Sequence, residues 1–159
     1  MKDNFRIALV AHDNKKADMV SFVMKRMDFF NNDSVEIWAT GTTGKHIYDA
    51  GLKKVNRLLS GPLGGDAQIA SLIVEKKIDA LIFFVDPLDV HPHQVDVSML
   101  LRICNVHNIP VAPNYATAKG LVSYWKNKLF EEPTDFQSFQ GFQGSQGFQG
   151  NEWRRKQEK

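Results

Sequence analysis

Two apolar runs constrain this chain more than anything else in it. Phe5 to Ala11 reads F-R-I-A-L-V-A, and Ala80 to Val85 reads A-L-I-F-F-V. Neither alternates apolar with polar residues, as a strand with one wet face would. Near-continuous runs of this length suit strands buried on both faces, which is the setting of a parallel sheet covered by helices on each side. The longer reading of the chain agrees. Ala17 to Phe30 carries Val20, Val23, Met24 and Met27 at helical spacing, and Val35 to Ala39 reads as a second strand. A Gly/Thr turn at 40–44 leads into a short helix from His46 to Ala50, closed by Gly51. Val55 to Leu59 reads as a weaker third strand and Gly65 to Lys77 as a helix. After the Ala80 strand, Val97 to Asn108 reads as a helix, Ile109 to Ala112 as a fifth strand, and Ala116 to Trp125 as a closing helix. Strands alternating with helices at short spacing imply βαβ units with right-handed crossovers. The expected fold is α/β: an open five-stranded parallel sheet with helices on both faces, roughly flavodoxin-like.

In that fold ligands bind beyond the carboxyl ends of the strands. The polar clusters fall there. His12 to Lys16 follows the first strand, Thr40 to Gly44 the second, Ser60 to Asp66 the third and Asp86 to Asp96 the fourth. At the centre is L-S-G-P-L-G-G-D-A-Q, residues 59–68. Its glycines let the backbone approach a ligand closely. An Asp at a loop-to-helix junction is a favoured N-cap, so Asp66 reads either as a cap or as a carboxylate held beside a groove.

The threonine turn suits a phosphate. Thr40, Thr42, Thr43 and Ser60 offer hydroxyl donors near helix N-termini, and Lys16 adds a positive charge. Ordinary helix capping is the plainer reading of the same residues. Neither a P-loop nor a Gly-x-Gly-x-x-Gly pattern is present, so no dinucleotide is expected. His91-x-His93 has no cysteine or glutamate cluster to complete a metal site, and no cofactor is expected. His93 lies near Asp96, and a carboxylate can orient an imidazole. His46 and His107 read as structural. A phosphate cradle, an aspartate base and an imidazole suit proton abstraction next to a carbonyl in a small phosphorylated ketone. Residue chemistry alone does not separate isomerisation from phosphate elimination.

These residues resemble the methylglyoxal synthase family. The resemblance rests on V-A-H-D-x-x-K at 10–16, A-T-G-T-T-G at 39–44, S-G-P-L-G-G-D at 60–66, D-P-L at 86–88 and P-H-x-x-D at 92–96, over roughly Arg6 to Ala118. It implies a metal-independent lyase that converts dihydroxyacetone phosphate into methylglyoxal and inorganic phosphate, in a glycolytic bypass. It also implies Asp66 as base, with His93 polarising the carbonyl and moving protons, and Asp96 as the partner of His93. His12, Lys16, Thr40, Gly41, Thr42, Thr43, Ser60 and Gly61 would hold substrate, chiefly its phosphate, and Asp13 and Asp86 would support the site. A homohexamer inhibited by phosphate is implied as well. The alternative from the same fold is a non-catalytic domain that senses phosphorylated effectors. One departure stands out: Ala67 occupies a position where the family usually has Gln, while Gln68 is kept.

Residues 1–130 are expected to form the domain, with 131–159 a low-complexity tail. Phe136 to Gly150 repeats in threes as FQS, FQG, FQG, SQG, FQG, without the proline of collagen. This stretch is expected to be disordered, either a tolerated terminal expansion or an assembly element. The last eight residues account for the net charge of +2, so no nucleic-acid surface is expected. No apolar run is long enough to span a bilayer, the N-terminus runs straight into a strand, and Cys104 has no partner for a disulfide. A cytoplasmic protein is expected.

Overall fold

The computed structural model describes residues 4–89 and 94–130. Packing divides the chain into two units, Met1–Lys126 and Asn127–Lys159. The repeat, the basic terminus and His93 lie outside the described residues.

Five strands form one sheet: β1 (Phe5–Ala11), β2 (Val35–Ala39), β3 (Val55–Arg57), β4 (Ala80–Phe84) and β5 (Val111–Ala112). Their order is β3-β2-β1-β4-β5, and every pair is parallel. β1 and β4 are the central pair, in register from Ile7 opposite Ala80 to Ala11 opposite Phe84. All five residues of β4 are buried, as the unbroken apolar run requires.

The helices are α1 (Lys16–Met24), α2 (Met27–Phe30), α3 (Gly41–Ala50), α4 (Gly65–Val74), α5 (Gln94–His107) and α6 (Tyr115–Phe130). The core has two halves because side chains alternate along a strand. On one face Ala8, Val10, Leu81 and Phe83 meet Ile69, Ala70 and Ile73 of α4 and Leu100 and Cys104 of α5. Burial there pushes the Cys104 thiol up to about 11, so it stays protonated and acts as a small apolar filler. On the other face Phe22 of α1 sits edge-on to Phe84 at 5.5 Å and to Tyr115 of α6 at 5.1 Å.

The helical stretch expected over Ala17 to Phe30 is two helices, broken at Lys25 and Arg26. Arg26 lies over the Phe22 ring at 4.2 Å and donates to the Phe22 carbonyl at 3.1 Å. α4 is shorter than expected, ending at Val74, with Lys76 at φ 58° turning the chain toward β4. α5 begins three residues earlier than expected, and α6 begins one residue earlier and runs on to Phe130. β3 and β5, the two edge strands, are shorter than their apolar runs. Only one neighbour is available to extend pairing at an edge.

Candidate active site

Connections from β1 run outward to β2 and β3, whereas those from β4 run the other way to β5. The switch point therefore lies between β1 and β4, where an open α/β sheet leaves a crevice at its carboxyl end. A pocket of about 280 Å³ opens there. Its floor is apolar, from Val10, Ala11 and Phe83, with Val97 of α5 at one wall. Its polar lining comes from three loops: His12, Asp13 and Lys16 after β1, Thr40 and Thr42 after β2, and Ser60, Gly61 and Asp66 after β3.

Each of these loops leads into a helical turn, and at each the residue in the N-cap position leaves its side chain out of the cap. His12 precedes a short 3-10 turn, Thr40 precedes α3, and Ser60 precedes a second 3-10 turn at Gly61–Leu63. None of the three makes a side-chain cap hydrogen bond. Asp66 is not a cap either. The N-cap of α4 is Gly64, at φ 103°, and Asp66 lies inside the first turn. That position places its carboxylate by the positive end of the helix.

Gly65 explains how the loop and helix come so close. A Cβ there would lie 2.1 Å from the Leu59 carbonyl oxygen, well inside contact distance. The Leu59 carbonyl in turn accepts the Gly41 N–H at 2.9 Å, so the third loop lies across the start of α3. Gly41 thus serves the scaffold with its amide and does not line the pocket. Thr43 is turned inward as well. It is 1% exposed, receives the Thr40 hydroxyl at 3.3 Å and donates to the Ala11 carbonyl at 3.5 Å. Its hydroxyl links the first two loops instead of facing a ligand.

His12 is held at both ends of its residue. Its N–H donates to the Phe84 carbonyl at 3.1 Å, and its Nδ1 accepts the Asp86 N–H at 2.8 Å. With Nδ1 an acceptor, the proton of the neutral ring sits on Nε2, which makes His12 a donor. The ring stands edge-on to Phe83 at 5.2 Å. Asp86 does not line the pocket. Its carboxylate accepts Asn14 Nδ2 at 2.9 Å and the Leu88 N–H at 3.1 Å, and so fixes the turn whose amide orients His12. The residue pattern alone left Asn14 unremarked, since its role depends on a residue 72 positions away.

Lys16 supplies the pocket's cation. It is paired with the Asp13 carboxylate, with side-chain exposures of 11% for Lys16 and 87% for Asp13. Asp96 lies in the first turn of α5, half-buried, beside pocket-lining Val97. Ala67 is exposed on α4 and away from the pocket lining, so the missing Gln side chain leaves no gap there. His46 Nδ1 lies 2.7 Å from the Thr42 carbonyl within α3, a local contact that agrees with its structural reading.

Fold and pocket together define a class: an open α/β domain that gathers hydroxyls, a lysine, an imidazole donor and one helix-terminal carboxylate at its switch point. Residues 19–113 match the family model described as the MGS-like domain. Over 122 residues the chain is 49% identical to the methylglyoxal synthase of Moorella thermoacetica, covering 77% of this chain and 94% of that protein. It is 47% identical over 126 residues to the methylglyoxal synthase of Bacillus subtilis, covering 79% and 90% respectively. A crystal structure of methylglyoxal synthase from Elizabethkingia anophelis superposes with a TM-score of 0.71 at 38% identity, covering 91% of this chain and 95% of that one. The chain belongs to the methylglyoxal synthase family.

Proposed function

We propose that the chain is a lyase that converts dihydroxyacetone phosphate into methylglyoxal and inorganic phosphate, with Asp66 as the base. The observation that carries this reading is the placement of Asp66: a carboxylate inside the first turn of α4, past the N-cap position, lining the pocket that also holds Lys16, Thr40, Thr42 and Ser60.

The chemistry follows from those groups. Asp66 removes a proton from the hydroxymethyl carbon, next to the carbonyl. Charge that develops on the carbonyl oxygen is stabilised by donors, for which His12 is suited through Nε2–H. The hydroxyl on the former hydroxymethyl carbon gives its proton to the other enediolate oxygen; its electrons then form a carbonyl there and shift the double bond toward the phosphate-bearing carbon. The C–O bond to phosphate breaks, and phosphate leaves with that bond's electron pair. The enol that remains becomes methylglyoxal by gaining a proton on the carbon that bore the phosphate and losing its hydroxyl proton. Electrons balance within the substrate, so the step needs no redox partner. Elimination is favoured when the breaking C–O bond stands perpendicular to the enediolate plane, whereas an isomerase must hold it in plane. The cradle of Lys16, Thr40, Thr42 and Ser60 would hold the phosphate out of plane, with Lys16, Thr42 and Ser60 supplying donors as it departs.

His93 and Asp96 are assigned to the proton shuttle between the oxygens, with Asp96 orienting His93. His93→Ala is expected to lose most turnover, and an unchanged rate would make it structural. The working assembly is a homohexamer in the cytoplasm, inhibited by phosphate competing for the cradle and serving a bypass of glycolysis.

The deciding experiment supplies dihydroxyacetone phosphate and scores methylglyoxal and phosphate together, with Asp66→Asn in parallel. Equal release of both products is expected, reduced by about 10²- to 10⁴-fold in the variant, with phosphate affinity largely kept. Near-normal turnover by Asp66→Asn removes the base assignment. Phosphate binding without turnover by the unaltered protein converts the reading to an effector-sensing domain.

A further inference from the structure

Asp66 and the Ser60-Gly61 turn stand on different elements, yet they must keep a fixed relation to act on one substrate. The ideal Cβ position of Gly61 lies 3.1 Å from Asp66 Oδ2, so the carboxylate rests on the Gly61 backbone. A shift of this loop against α4 therefore changes the spacing between the base and the Ser60 donor.

The loop's own side chains do little to hold it. Leu59 is 50% exposed and Leu63 is 72% exposed. Backbone contacts take their place. Leu58 N–H donates to the Ala39 carbonyl at 2.8 Å, Gly41 N–H to the Leu59 carbonyl at 2.9 Å, and Leu63 and Gly65 N–H both to the Ser60 carbonyl at 3.0 Å. The Leu59 N–H has a side-chain partner: it donates to Gln68 Oε1 at 2.8 Å. Gln68 stands two residues beyond Asp66 on the same helix, half-buried and outside the pocket lining. Its amide oxygen thus ties the helix that carries the base to the strand end that leads into the loop.

We propose that Gln68 is a positioning residue: through Leu59 N–H it locks the Leu59–Gly61 segment against α4 and so fixes the distance between Asp66 and the phosphate side of the pocket. This rests on the lyase reading of the same site. A displacement of about 1 Å in a reacting geometry is enough to cost about a hundredfold in rate, so one hydrogen bond outside the pocket can matter.

Two variants test it. Gln68→Met keeps the length of the side chain and removes the acceptor. Gln68→Glu keeps an acceptor oxygen. The readouts are amide hydrogen exchange at Leu59, and kcat and KM for dihydroxyacetone phosphate. In Gln68→Met, Leu59 exchange is expected to speed up about tenfold or more, with kcat down about tenfold to a hundredfold. In Gln68→Glu both are expected to stay near the unaltered values, with KM raised by the added charge. Loss of Leu59 protection without loss of kcat in the Met variant overturns the proposal, as does unchanged protection there. Loss of kcat in the Glu variant with Leu59 still protected also overturns it. Should the Met variant not fold, the Glu variant decides: protection and kcat kept together support the role, and any other result overturns it. If the unaltered protein releases no methylglyoxal, the lyase reading has failed by itself, and affinity for inorganic phosphate replaces kcat under the same criteria.

Discussion

The two ends of the sheet treat polar groups in opposite ways. At the amino end, Asp79 is saturated by one partner. Its carboxylate accepts the Arg6 backbone N–H at 2.8 Å, Arg6 Nε at 3.0 Å and Arg6 Nη2 at 2.9 Å, and its own N–H donates to the Arg6 carbonyl at 2.8 Å. Nearby, Asn32 Oδ1 caps the Ser34 N–H at 2.9 Å. At the carboxyl end, His12, Thr40 and Ser60 precede helical turns without capping them, and Asp66 sits inside its helix instead of before it. An aspartate serves at each end. What separates the two is where the fold turns the side chain: Asp79 is turned onto Arg6, 73 residues away, and stabilises the fold, whereas Asp66 is turned toward the pocket, where a ligand can reach it.

The comparison can be broken from either end. The largest effect is expected from Gly65→Ala. Its Cβ would collide with the Leu59 carbonyl oxygen, a backbone atom that cannot yield without moving the loop. Both thermal stability and turnover should fall, stability by roughly 1–3 kcal/mol as for other overpacked sites. A variant with normal melting temperature and normal kcat would show that the loop is not braced there. Next is Arg6→Met. It removes two charge-assisted bonds of the amino-end cluster, at side-chain exposures of 30% and 35%. About 1 kcal/mol of stability should be lost, as for a partly screened pair, while kcat is unchanged. A fall in kcat at constant stability would mean that the two ends are coupled.

The smallest effect is expected from Asp13→Asn. Asp13 is largely exposed and neutralises Lys16 before any ligand arrives, so phosphate must displace a carboxylate to reach the cation. Removing that competitor should tighten inorganic phosphate binding about twofold to fivefold, the scale of exposed ion pairs, and the gain should shrink as salt is added. Titration calorimetry at two ionic strengths reads it. Weaker binding in the variant would mean that Asp13 positions Lys16 rather than competing for it.

Much of this was legible in the chain. β1 and β4 follow from unbroken apolar runs, and the four polar loops fall after strands as the fold demands. The family motifs name Asp66, Lys16, Thr40, Thr42 and Ser60, which all line one pocket. Less legible was the division of labour within a motif. Thr42 and Thr43 are adjacent and chemically identical, yet Thr42 lines the pocket and Thr43 is buried against the Ala11 carbonyl. Gly41 and Asp86 belong to matching motifs but support their neighbours through backbone contacts. Asn14 carried no signal, and Gln68 was marked only as a kept family position with no role, because each acts through a partner on another element.

The sequence by itself determined the elements, their order along the chain and the edge on which chemistry collects. Those depend on apolar periodicity, turn residues and short motifs, all of which act over a few residues. Only the tertiary structure decided which polar groups remain open to a ligand. Strand order places β1 beside β4, and the Asp86 N–H then fixes the tautomer of a histidine 74 residues away. The close crossing at Gly65 likewise brings Leu59 within reach of Gln68. Whether a hydroxyl or carboxylate is satisfied depends on atoms distant in sequence, and no local pattern carries their positions.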